Sequence, residues 1–113
     1  MAGARSPGEW HLGIIGGPGF YHAAELEDVQ VLPVASPFGE ASGPVTMGML
    51  EGVRVTFLAR HGPNHRIPPS AVNYRANIDV LKRCGVTDVL AICAVGSLRE
   101  DIVPGEFVAV DQI

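Results

Sequence analysis

Ala59-Arg60-His61-Gly62 runs through Pro63-Asn64-His65-Arg66-Ile67-Pro68-Pro69 into Asn73-Tyr74-Arg75-Ala76-Asn77, gathering three arginines and two histidines where an apolar strand stops and a helix begins. In an α/β sheet the carboxyl end of a strand is where ligands bind. An arginine held there suits an oxyanion with several acceptor oxygens, such as phosphate, because the guanidinium can bond two oxygens at once and a neighbouring histidine can add a donor. The alternative for Arg60 and His61 is a surface ion pair beside a solvated histidine, the common fate of charged side chains. Placement directly after the apolar strand brings the anion reading level with it.

Other residues bear on the same site. Gly16-Gly17-Pro18-Gly19 offers backbone N–H groups without side-chain obstruction, as an anion-binding turn does. It lacks the third glycine of G-x-G-x-x-G and the Gly-Lys-Ser/Thr of a P-loop, and Pro18 brings no N–H, so taken alone it reads first as a plain strand-to-loop turn. His61 and His65 share the spacing of two metal ligands on a helix, but Pro63, Pro68 and Pro69 oppose a helix there and no third ligand is close in sequence. Cys93 has no local basic partner to activate it and reads as a small buried filler. Asn73, Arg75 and Asn77 read as the polar face of a helix.

The elements that would position these residues follow from periodicity and punctuation. Residues 1–10 read as a loose leader and 11–113 as one domain. Strands are expected at His11–Ile15, Val29–Val34, Pro44–Leu50 and Val53–Ala59, the last two joined by a hairpin at Glu51-Gly52. Ser70 is a candidate N-cap for a helix with Ala71, Tyr74, Ile78 and Leu81 on one face, stopped by Gly85. The near-continuous apolar run Val86–Val95 reads as a strand buried on both faces, and Phe107–Val110 as a further strand. The order predicts an α/β fold: a mixed β-sheet flanked by helices. In it three strand ends, at Gly16–Gly19, Arg60–His61 and Cys93–Gly96, could meet at one crevice.

Composition bounds the rest. The 113 residues are 47% apolar and 18% charged, which fits a folded core. Eight Lys and Arg against twelve acids give a net charge of −4 and a pI near 5.4, which argues against general nucleic-acid binding. No apolar run approaches the length of a membrane span, and Met1 to Glu9 contains no secretory h-region. Cys84 and Cys93, in a helix end and a strand, form no disulfide framework, so a reduced, cytoplasmic setting is expected.

Five motifs in order carry a resemblance: Gly13-Ile14-Ile15-Gly16-Gly17-Pro18-Gly19-Phe20, Ser36-Pro37-Phe38-Gly39, Ala59-Arg60-His61-Gly62, Val72-Asn73-Tyr74-Arg75-Ala76-Asn77 and Ala94-Val95-Gly96-Ser97-Leu98-Arg99-Glu100. Together they resemble the amino-terminal part of 5′-methylthioadenosine phosphorylases, in the purine nucleoside phosphorylase family. The resemblance implies a cytoplasmic homotrimer of purine and methionine salvage, in which inorganic phosphate, as co-substrate and without a further cofactor, cleaves the glycosidic bond of a purine nucleoside. It implies a phosphate site at Pro18, Arg60, His61, Cys93 and Ala94. Family members usually carry a serine or threonine hydroxyl where this chain has Pro18, and often threonine or another polar residue where it has Cys93.

The family's purine-recognising residues, and the aspartate that assists the leaving base, fall after Ile113. Members of the family run to well over twice this length. A chain this short would leave a sheet edge and apolar faces uncovered, so it reads as part of a longer protein, inactive in isolation. Sister activities on methylthioinosine, or on inosine and guanosine, stay open as alternatives, as does a non-catalytic phosphate-binding remnant.

Overall fold

A computed structural model of the protein describes residues 5–17 and 25–112. Five strands form one mixed sheet: β1 (His11–Gly16), β2 (Glu27–Leu32), β3 (Val45–Leu50), β4 (Val53–Ala59) and β5 (Asp88–Ile92), in the order β2-β3-β4-β1-β5. β1 runs parallel to both neighbours, β4 and β5, while β2, β3 and β4 form an antiparallel meander. One α-helix, α1 (Tyr74–Arg83), crosses from β4 to β5 over β1. This is the mixed α/β sheet expected from the sequence.

The hairpin between β3 and β4 turns at Glu51 and Gly52, both with positive φ (48° and 81°). That is the geometry of a two-residue turn whose twist matches the strands. β2 spans Glu27–Leu32 rather than Val29–Val34. Pro33 has no N–H for the ladder and stops the strand at Leu32, and an irregularity between Glu27 and Gln30, with Asp28 at φ 53°, extends it earlier.

The helix begins later than expected. Pro69–Ala71 makes a 3-10 turn, and Asn73, not Ser70, caps α1 by accepting from the Ala76 N–H at 3.0 Å. The buried face of α1 is Ala76, Asn77, Val80 and Leu81. Of the face read from sequence only Leu81 is buried; Ala71, Tyr74 and Ile78 are exposed. Val80 and Leu81 pack with Ile15, Val45 and Leu58 into the core, and Gly85, at φ 91°, lets the chain leave the helix.

Two strand expectations are corrected. The Val86–Val95 run pairs only over Asp88–Ile92, and β5 is an edge strand with Val89, Leu90 and Ala91 exposed, because among the described residues β1 is its only neighbour. Phe107–Val110 adopts no strand and is exposed: it pairs with none of the five strands, and an unpaired extended segment has no ladder to hold it. In the stretch read as a leader, Pro7–Glu9 forms a 3-10 turn, and Arg5 lies 3.6 Å over the Trp10 ring while pairing with Asp88 at 2.9 Å. Among the described residues no helix is long and apolar enough to cross a membrane.

At the amino end of β1, His11 is buried, with Nε2 2.6 Å from the Thr56 hydroxyl. Burial, then the nearby Arg54 charge, holds its pKa below the ordinary 6.5, with a backbone hydrogen bond at Gly85 partly opposing. The unfolded chain therefore takes up this proton at a higher pH than the folded one. Stability should be unaffected by His11 above pH 6.5 and should fall as pH drops below it, until the folded ring also protonates. Urea midpoints recorded from pH 8 down to pH about 5 should show this loss, and His11→Gln should flatten it.

Candidate functional site

The parallel register sets the site. Gly16 pairs with Ala59 of β4 on one side and with Ile92 of β5 on the other, so the three strands end at one level. Gly17, Arg60 and Cys93 are the next residues of each strand, and the convergence expected from topology is realised. The Arg60 N–H donates to the Gly16 carbonyl at 2.9 Å, carrying the β1–β4 ladder one residue further.

The Arg60 side chain folds back across the strand ends. Its NH2 group donates to the Ile15 carbonyl at 3.3 Å and to the Ile92 carbonyl at 3.0 Å. NH1 lies against Gly17, where an added Cβ would sit 3.6 Å away. Neither NH1 nor Nε has a partner among the described residues. Arg5, Arg83 and Arg99 each pair with an aspartate, whereas Arg60 is oriented by neutral carbonyls and has no carboxylate partner among the described residues.

His61 is oriented by its own loop. Its Nδ1–H donates to the Ile67 carbonyl at 2.8 Å, because that carbonyl can only accept. Nε2 is left to accept when the ring is neutral and to donate when it is protonated. The His65 ring stands edge-on to it with centroids 4.5 Å apart. Three hydrogen bonds stiffen the loop: Gly62 N–H to Ala59, His65 N–H to Gly62 and Ile67 N–H to His61.

Arg60, His61 and Cys93 line one open cleft of about 470 Å³, together with Ile15 of β1, Tyr74, Asn77 and Ile78 of α1 and Val89 and Ala91 of β5. Cys93 is exposed here, just past the end of β5, and is not the buried filler read from sequence. Ala94 follows it, also exposed. Pro18 lies outside the described residues. Arg75 is elsewhere, 5.9 Å over the Phe38 ring, and Arg66 does not line the cleft. Chemically, one end of the cleft can hold an anion and its walls are apolar.

Three residues that matter here were read as something else or passed over. Asn77 is not on the polar face: it is 1% exposed, accepts from the Ser42 N–H at 2.8 Å and donates to the Ser42 hydroxyl at 3.0 Å. Ser42 in turn donates to the Arg60 carbonyl at 2.5 Å. Asn73 caps the helix and also donates to the Phe38 carbonyl, tying the Ser36–Gly39 turn to α1. The available signal was the four-residue spacing of the asparagines, which puts both on one side of a helix.

A family model described as the phosphorylase superfamily matches residues 11–113. The chain belongs to the phosphorylase superfamily. Within it, the chain is 54% identical over 101 residues to an S-methyl-5′-thioadenosine phosphorylase of Rhodospirillum rubrum, covering 89% of this chain and 34% of that protein. It is 48% identical over 102 residues to a probable S-methyl-5′-thioinosine phosphorylase of Xylella fastidiosa, covering 90% and 43%. Among solved structures, methylthioadenosine phosphorylase from Schistosoma mansoni in complex with tubercidin superposes with a TM-score of 0.79 at 47% identity, over 87% of this chain and 35% of that one. The chain thus spans roughly a third to two fifths of the length of these superfamily relatives.

The superfamily chain reaches this loop geometry through Gly62, at φ 76° and ψ 175°. A Cβ there would stand 2.7 Å from the Ser42 carbonyl oxygen and 3.1 Å from Ile67. Gly62→Ala should therefore cost roughly 1–3 kcal/mol in backbone strain alone. Urea unfolding of the variant should register that loss, and equal stability with wild type would contradict it.

Proposed function

We propose that this chain carries the phosphate site of a 5′-methylthioadenosine phosphorylase, which uses inorganic phosphate to release adenine and form 5-methylthioribose 1-phosphate. The observation that carries the reading is Arg60, laid across the ends of three in-register strands with its charge uncancelled and NH1 beside Gly17. The relatives' names supply the nucleoside.

Phosphate must approach C1′ as the glycosidic bond breaks and the sugar gains oxocarbenium character. The protein's part is to fix the anion and stabilise the charge. In this reading NH1 and Nε of Arg60 hold phosphate oxygens. Nε2 of His61 either accepts from a protonated phosphate oxygen or, as imidazolium, donates to a bare one. The backbone of Cys93-Ala94 closes the cradle, and Pro18, outside the described residues, belongs to it by the resemblance alone. Pro18 contributes neither hydroxyl nor N–H, and Cys93 contributes a thiol in place of a stronger donor. The acid that helps the purine leave is assigned beyond Ile113. In this reading the reaction uses inorganic phosphate as co-substrate and no cofactor, and the working form is a cytoplasmic homotrimer. The Xylella relative keeps methylthioinosine as the second substrate to assay beside methylthioadenosine.

The test is phosphate-dependent release of adenine from methylthioadenosine by the protein expressed from its complete reading frame, with methylthioinosine, inosine and guanosine alongside. Adenine release that requires phosphate is expected. Arg60→Ala should lower turnover on the order of 10²–10³-fold, about 2.7–4 kcal/mol of transition-state stabilisation. Phosphorolysis of inosine but not methylthioadenosine would reassign the substrate, and absence of phosphate binding would end the reading.

A further inference from the structure

Three polar groups at the wall of the cleft, which Asn77 itself lines, form a directed chain. Asn77 is buried on α1 and spends both ends of its amide on Ser42. Because a backbone N–H can only donate, Oδ1 faces the Ser42 N–H, and Nδ2 must therefore face the Ser42 hydroxyl. That hydroxyl has one proton. With a donor already on its oxygen, it sends the proton to the Arg60 carbonyl. The Arg60 N–H is meanwhile fixed to Gly16. Both backbone groups of Arg60 are thus held, one by the sheet and one by the helix. The contact is also crowded, since the Ser42 carbonyl lies against Gly62 and Gly43 lies against Pro63.

We infer that Asn77, acting through Ser42, is a positioning residue for Arg60, setting the backbone from which the guanidinium reaches the anion. The inference rests on the reading of Arg60 as a phosphate ligand. It explains why a buried asparagine is needed and an aspartate would not serve. Aspartate at 77 still accepts from the Ser42 N–H, but its second oxygen takes the Ser42 proton and leaves the Arg60 carbonyl without a donor. The exchange is nearly isosteric, so the packing of α1 is retained while the link between residue 77 and the Ser42 hydroxyl reverses and the link to the Arg60 carbonyl is lost.

Binding of inorganic phosphate, measured by titration calorimetry on the protein from the complete reading frame, tests this with Ser42→Ala, Asn77→Asp, their double variant and Arg60→Ala. Loss of the Ser42 bond is expected to raise the phosphate Kd about five- to tenfold, with the KM for methylthioadenosine unchanged. Asn77→Asp should weaken phosphate similarly at neutral pH, and the double variant should be no worse than Ser42→Ala, since both substitutions break the same link. Full additivity would mean that the new charge acts through space, and would overturn the relay. Wild-type affinity in folded Ser42→Ala, while Arg60→Ala loses phosphate, would overturn the relay alone. Wild-type affinity in Arg60→Ala would instead sink the site reading, and the relay with it. Should a variant fail to fold, the wild type decides. The Asn77 side-chain amide signals are expected to shift in an NMR phosphate titration together with Gly17 and Arg60, and signals that stay fixed would overturn the relay.

Discussion

The parallel register around β1 is the constraint on which the rest depends. Because Gly16 faces Ala59 and Ile92 together, the Ile15 carbonyl of β1 and the Ile92 carbonyl that ends β5 stand within reach of one side chain from the residue after β4. A slip of one residue in either pairing would move Arg60 relative to both carbonyls and turn the neighbouring side chains to the opposite face. The site is therefore specified by the sheet, and the loop that follows only has to avoid disturbing it.

A second layer keeps the loop from doing so. Helix α1 reaches across to the segment before β3 through two asparagines one turn apart. Asn73 holds the Phe38 carbonyl, and Asn77 holds Ser42. Glycine is required where these segments touch: an added Cβ at Gly39 would meet Asn73 at 2.9 Å, and one at Gly62 would meet Ser42 more closely still. Polar side chains and absent side chains together fix a backbone-to-backbone contact that apolar packing could not orient, because hydrogen bonds have direction and dispersion does not.

This division explains what the sequence made legible. β1, the β3–β4 hairpin and the end of α1 at Gly85 were readable because alternation, turn glycines and helix stops are local signals. Arg60-His61 was readable as a site because its chemistry stood out against an acidic chain. The buried face of α1 was misread because it includes Asn77, whose partners are 35 residues away, and a polar residue scores as solvent-facing until its partner is known. The apolar pattern of Val86–Val95 describes a strand covered on both faces. Among the described residues β5 has only one neighbouring strand, so the pattern and the observed exposure differ for a reason no local rule contains. Cys93 followed the same error, being carried outward with the strand end.

The choice of partners for Arg60 completes the physical argument. A carboxylate would orient a guanidinium more strongly than a carbonyl does, and Arg5, Arg83 and Arg99 take that option. It would also cancel the charge that an incoming anion needs, and phosphate would have to displace it or tolerate its repulsion. Carbonyl oxygens carry partial charge only. Two of them, supplied by strand ends that the sheet already fixes, orient NH2 while leaving a full positive charge and two unspent faces of the guanidinium, at NH1 and Nε. In a chain of net charge −4, that local arrangement rather than the overall field is what can draw an anion to this cleft.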